Sequence, residues 1–276
     1  MCPPRVLAAF QDPAVSRRNL LRLGLGLGAA AAAVAARPAG AAQVRPTRFS
    51  NVRDLTHLLG PNFPSFDNAP AFRIETAVTH AANGYYGSNI TYWEHIGTHM
   101  DAPVHFAPNG LFVDQIAPES LVVPAAVVDI SERAARDPDT VVTPDDILAW
   151  ERRHGRLPDG AAVLMVSGWG EKVGSAAAFR NPDSAGVMHF PGFGKAAVDF
   201  LLAERNVSGI GVDTLSLDHG PSANFEVHYT WLSTNRWGLE NLSNLNAIPP
   251  VGATIFVGAP KVAAGSGGPS RVMAVW

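Results

Sequence analysis

The chain has 276 residues, of which 47% are hydrophobic and 16% charged, with a formal charge of −3 and a single cysteine. That length allows one large α/β domain or two small ones, and the composition fits a globular protein with a sizeable core. An acidic balance argues against nucleic acid as a partner, because phosphate neutralisation dominates that affinity, and one cysteine excludes a disulfide framework.

The first 41 residues differ from the rest. "SRRNLLR" opens a charged stretch at Ser16, the apolar run "LGLGLGAAAAAVAA" fills 23–36, and the small residues Ala39, Gly40 and Ala41 follow. That order marks an export signal, and the pair Arg17 and Arg18 resembles a twin-arginine signal. The run is shorter than the roughly 20 residues that span a bilayer, so no stable membrane span is expected. The expected route uses the twin-arginine translocase and ends in the periplasm or outside the cell. Cleavage after Ala41 leaves 42–276 with 16 basic and 23 acidic side chains and removes Cys2. Any metal in the mature chain must then be held by imidazole and carboxylate.

Residues 51–57 read as a first strand, followed by a Pro-rich loop. Residues 72–81 and 87–95 read as strands on either side of a turn at Asn83 and Gly84. The long apolar stretch 121–131 predicts a buried strand. At 143–155, Thr143 suits a cap, Pro144 the first helical position and Gly155 the stop. A second buried strand is expected at 161–169. A helix at 195–205 leads into a strand at 207–213, and strands close the chain at 253–260 and 271–276. The Gly/Ser stretch 264–269 reads as disordered. Strands outnumber helices and only some have helical crossovers, so the expected class is α/β with a mixed sheet and a few helices.

"EHIGTHMDAPVHF", starting at Glu94, carries His95, His99, Asp101 and His105, interrupted by Gly97 and Pro103. His95 and His99 are four apart, so a single helical turn brings both imidazoles to one side. Imidazole and carboxylate suit zinc, manganese or iron, and one carboxylate can bridge two ions. His105, beyond the redirecting Pro103, is either a fourth ligand or a free proton carrier. Downstream, "FEVHYTWLSTNRWGLENL" holds His228 and Glu240, a weak signal by itself.

"HIGTHMDAPVHF" resembles the signature HxGTHxDxPxH of the metal-dependent cyclase and kynurenine formamidase-like superfamily, which includes isatin hydrolases and trans-dienelactone hydrolases. "DLTH" at Asp54, "GIGVDTLSLD" at Gly209 and "VH…ENL" from Val227 extend the resemblance over most of the mature chain. It implies a swivelling β/β/α domain that assembles as a homodimer or homotetramer. It also implies His95, His99 and Asp101 as ligands of one divalent ion, zinc or manganese. Asp101, His228 and Glu240 then serve a second ion, and His105 is the general acid/base. One departure stands out: kynurenine formamidases carry a "P-x-W-P-G-D"-like loop where this chain reads "NFPSFDNAP", with Phe66 nearest the tryptophan.

The implied chemistry is hydrolysis by metal-bound hydroxide, which attacks the carbonyl of a small cyclic or linear amide, such as a formamide, an imide or an isatin-like ring. His105 accepts a proton and returns it to the leaving atom. Phe66, Trp93 and Phe106 are the expected substrate-binding side chains, with Phe63 and Trp169 beside them. Two alternatives are a lactone hydrolase of the trans-dienelactone type and a non-catalytic exported protein that binds a metal or small molecule.

Overall fold

A computed structural model describes residues 48–276. The expected export signal, with Arg17, Arg18 and the cleavage point at Ala41, lies outside the described residues. Among the described residues, no helix is long and apolar enough to cross a membrane.

In chain order the strands are β1 (Val52–Asp54), β2 (Phe72–Val78), β3 (Gly87–Tyr92), β4 (His99–Asp101), β5 (Val122–Asp129), β6 (Val141–Val142) and β7 (Ala161–Val166). They continue with β8 (Gly192–Phe193), β9 (Val207–Val212), β10 (Trp237–Glu240), β11 (Thr254–Gly258), β12 (Gly267–Pro269) and β13 (Arg271–Val275). Three helices matter for the site: α1 (Pro144–His154), α2 (Lys195–Glu204) and α3 (Glu226–Leu232). Nine strands make one mixed sheet in the order β1-β13-β11-β5-β7-β9-β10-β4-β12. Strands β5, β7, β9 and β10 run parallel at its centre, and the strands outside them pair antiparallel. The fold is thus mixed α/β, as expected.

The central strands read as unbroken apolar runs because both faces of the sheet are covered. Along β7, Val163 and Met165 join Ile147 and Trp150 of α1 and Leu201 of α2, while Ala162, Leu164 and Val166 join Leu55, Leu242 and Ile248 on the other face. A capping box starts α1: the Thr143 hydroxyl accepts from Asp146 N–H, and the Asp146 carboxylate accepts from Thr143 N–H at 2.8 Å.

Three local expectations change. Strand β3 ends at Tyr92 rather than at His95, because Ala71 O takes the Trp93 N–H and the preceding Pro70 has no N–H to extend the ladder. Beyond that last rung, Glu94 and His95 are released from the hairpin. The single helical turn expected at His95–His99 does not form either. His99 opens strand β4, and Gly97, at φ 69°, bends the chain into it. Finally, 264–269 is ordered, with Gly267–Pro269 pairing antiparallel to β4 as β12. Glycine there serves close approach rather than freedom: a Cβ on Gly267 would lie 2.4 Å from Met100 O and 2.8 Å from His95 Cε1.

Candidate active site

Strand β4 displays its side chains with period two, so His99 and Asp101 share one face while Met100 enters the core beside Leu239. Antiparallel pairing with β10 sets Glu240 directly across from His99 and Gly238 across from Asp101. Helix α3 brings His228 to the same place from another part of the chain. His228 Nε2 lies 3.4 Å from Asp101 Oδ2 and 3.0 Å from Glu240 Oε1. His99 Nε2 lies 3.3 Å from Asp101 Oδ1 and 3.3 Å from Glu240 Oε2. His95 Nδ1 reaches Asp101 Oδ1 at 2.7 Å. The structure thus gathers His95, His99, Asp101, His228 and Glu240 around one carboxylate. His105 stacks on His95 with ring centroids 3.6 Å apart.

Two imidazoles are locked by their outer nitrogens. His99 Nδ1 donates to Gly97 O at 2.9 Å, and His228 Nδ1 donates to Asp218 Oδ2 at 2.7 Å. In its neutral form each ring therefore turns a bare Nε2 inward, onto carboxylates that can only accept. His99 Nε2 and Asp101 Oδ2 are buried without any hydrogen-bond partner. Acceptors facing acceptors inside a protein need a cation between them.

Without an ion, the cation that the carboxylates draw in is a proton on each ring. Burial alone lowers the His99 imidazole, yet the Asp101 and Glu240 carboxylates overcome it and raise it to about 10. Burial likewise opposes the charged form of His228, which Asp101, Asp218 and Glu240 nonetheless hold well above its usual range. A divalent ion that displaces those protons meets two buried carboxylates among neutral imidazoles, a formal charge of −2 that matches its own. The donors fit such a group: His99, Asp101 and Glu240 converge as one set and His95, Asp101 and His105 as another, with Asp101 common to both.

A cavity of about 480 Å³ opens over this cluster. His95, His105, His228 and Glu240 line it, and Phe66, Trp93, Phe106 and Phe225 supply aromatic surface. Phe225 stands 5.8 Å from Phe66 and 5.5 Å from Phe106, centroid to centroid. It adopts φ 48° at the start of α3, a strained conformation for a bulky residue of the kind that concentrates at functional sites. The other two aromatic expectations change. Trp169 packs into a separate cluster with Phe179 and Phe190, and Phe63 stands against His57 with centroids 6.1 Å apart; neither lines the cavity.

The family described as "Putative cyclase" matches residues 53–219. The chain belongs to the cyclase family. Isatin hydrolase of Roseibium aggregatum is 33% identical over 241 residues, covering 81% of this chain and 91% of that protein. Kynurenine formamidase of Salinibacter ruber is 30% identical over 185 residues, covering 65% of this chain and 74% of that one. Among solved structures, isatin hydrolase A from Ralstonia solanacearum aligns at a TM-score of 0.76 and 40% identity, over 82% of this chain and 91% of that chain. These relatives are hydrolases, and the chain is a hydrolase of the same family, with a side-chain cluster suited to a divalent metal.

Sequence reasoning left several residues of this cyclase-family site unassigned. Asp218 holds His228 and also accepts from the backbone N–H groups of Val227 and His228, fixing the start of α3. Asn241 and Ser216 line the cavity, and Asn241 Oδ1 and Ser216 Oγ are buried without partners. Glu94 and Ser266 stand behind His95. Asp218 lies in "GVDTLSLD", where its place near a strand end was the available signal. Ser266 had none, because its segment resembles a linker. Asp213 does not reach the cluster; it accepts from Ser167 Oγ and the N–H groups of Ser167 and Gly168, bracing the ends of β7 and β9.

Proposed function

We propose that this protein is a metal-dependent hydrolase of small amides, acting on a carbon–nitrogen bond outside peptides, with a flat isatin-like ring as the best-matched substrate. The observation that carries this reading is the shared Asp101 carboxylate, faced by bare imidazole nitrogens beneath an aromatic cavity. A divalent ion at His95, His99, Asp101, His228 and Glu240, zinc or manganese by donor type, supplies a water acidified to about neutrality and polarises the carbonyl.

The chain's own side chains do the rest. Phe66, Trp93, Phe106 and Phe225 hold a flat ring and exclude water, in a cavity sized for a small ligand. His105 moves the proton. Burial lowers it to about 4, against the opposing pull of the Asp101 carboxylate, so at neutral pH the ring is unprotonated. It takes a proton from the attacking water and gives it to the nitrogen as the C–N bond breaks. Asn241 stands in the cavity wall with Nδ2 donating to Gly97 O and Oδ1 buried and unpaired, so a substrate N–H that displaced its cover would gain an acceptor that a lactone cannot use. The support from relatives is the isatin hydrolase resemblance, at 33% identity over 91% of that protein.

The test is elemental analysis of protein purified without added metal, then assays on isatin, N-formylarylamines, cyclic imides and a dienelactone. The expected result is bound zinc or manganese, with amide hydrolysis abolished by a chelator and restored by the metal. Turnover confined to the dienelactone would make the protein a lactone hydrolase, and metal-loaded protein inert toward all four a binding protein. The protein also acts outside the cytoplasm as a homo-oligomer. Export is supported by the order of residues in 1–41. Retention in the cytoplasm of cells with an intact twin-arginine pathway would refute it.

A further inference from the structure

The Gly-rich segment 264–269 does more than border the site. Ser266 Oγ lies 3.0 Å from His95 Nε2 and donates to Glu94 Oε2, while Ser266 N–H donates to the same oxygen at 3.2 Å. Valence sets the direction of the chain of hydrogen bonds. A carboxylate only accepts, so the single hydroxyl proton of Ser266 goes to Glu94. The Ser266 oxygen then accepts from His95, which places a proton on Nε2. By the same rule His95 Nδ1 donates to Asp101 Oδ1 at 2.7 Å while no ion is bound, and it is this inner proton, not the one on Nε2, that an ion at Asp101 replaces.

We propose that Glu94 and Ser266 form a relay that makes His95 offer Nδ1 to the ion at Asp101, in a centre where His99 and His228 offer Nε2. The opposite choice at those two rings follows from Gly97 O and Asp218, which hold their Nδ1 protons. The glycines flanking Ser266 make the relay possible. A Cβ on Gly265 would stand 2.9 Å from Glu94 Oε1, and one on Gly267 2.8 Å from His95 Cε1. Glu94 and Ser266 are positioning residues, acting through His95. Partners of this type fix ring orientation in metal centres, and their loss typically weakens metal binding about 10–100-fold. The ion-binding part of the inference rests on the metal-hydrolase reading; the proton placement on His95 does not.

The experiment reads the two parts separately. Long-range ¹⁵N–¹H correlation on histidine-labelled protein, both zinc-loaded and chelator-stripped, reports which nitrogen of His95 carries a proton. The expected wild-type result is a protonated Nε2 in both forms. Zinc titration then compares S266A, E94Q and the hydroxyl-preserving S266T, each checked for native circular dichroism. S266A and E94Q are expected to bind zinc about 10–100-fold more weakly, with S266T close to wild type. A bare Nε2 on wild-type His95, or S266A with wild-type zinc affinity, overturns the relay. Wild-type protein that binds no zinc but keeps a Ser266-dependent proton on Nε2 supports the relay and overturns the metal-hydrolase reading instead.

Discussion

His105 differs from the other histidines of the cluster in what surrounds it. It lies against rings, His95 at 3.6 Å and Phe106 edge-on at 4.7 Å, whereas His99 and His228 each have an outer nitrogen tied to an acceptor. A ring without that tie can exchange protons, whereas a tied ring is better suited to hold an ion. His105→Ala is therefore expected to keep its metal, by elemental analysis, while turnover falls about 10²–10⁴-fold. Loss of the metal along with turnover would make His105 a ligand. Asp218→Asn should act differently. The amide still accepts at one atom but loses the charge beside His228, so metal affinity is expected to fall about 10–100-fold before any loss of fold. A zinc titration beside a melting curve separates the two effects.

At the scale of elements, the site depends on three short strands side by side, β10, β4 and β12. Gly267→Ala would push a methyl against the Met100 carbonyl and the His95 ring, separating β12 from β4. The expected outcome is protein that purifies poorly or binds no metal, whereas native-like metal binding by this variant would disprove the close approach. Helix α1 lies away from the chemistry and offers a stability prediction. Thr143→Ala removes the cap and should cost about 1 kcal/mol in urea unfolding. Burial pushes the Asp146 carboxyl up, but the Arg133 guanidinium at 2.7 Å and the Thr143 donors outweigh it and hold it below 3.8. A carboxyl depressed in the folded state contributes stability above its unfolded value, and loses it as pH falls through the folded value. The urea midpoint should therefore drop as pH falls below 3.8, and less steeply in Asp146→Asn.

At the scale of the molecule, the hairpin β2–β3 carries an apolar face that the described residues leave exposed. Its alternation puts Phe72, Ile74, Tyr92 and Ile90 on one face, yet Ile74 and Ile90, paired across the strands, remain 48% and 55% exposed. One-sided apolar patterning is what a covered sheet displays, and a second copy of this chain is the occupant that fits the homo-oligomer proposal. Sedimentation is expected to find a dimer or tetramer, and Ile74→Lys with Ile90→Lys a smaller, still folded species; a wild-type monomer would refute the proposal. Sequence alone determined the class, the buried central strands, helix α1 with its cap, and the residue types of the "HIGTHMD" segment, because each is written in local spacing and propensity. Tertiary structure decided the rest. The register of β4 against β10 sets Glu240 opposite His99, and the return of 264–269 turns an apparent linker into the support of His95. Which nitrogen each imidazole presents depends on acceptors distant in the chain, such as Ser266 for His95, and no local pattern records a contact made across 171 residues.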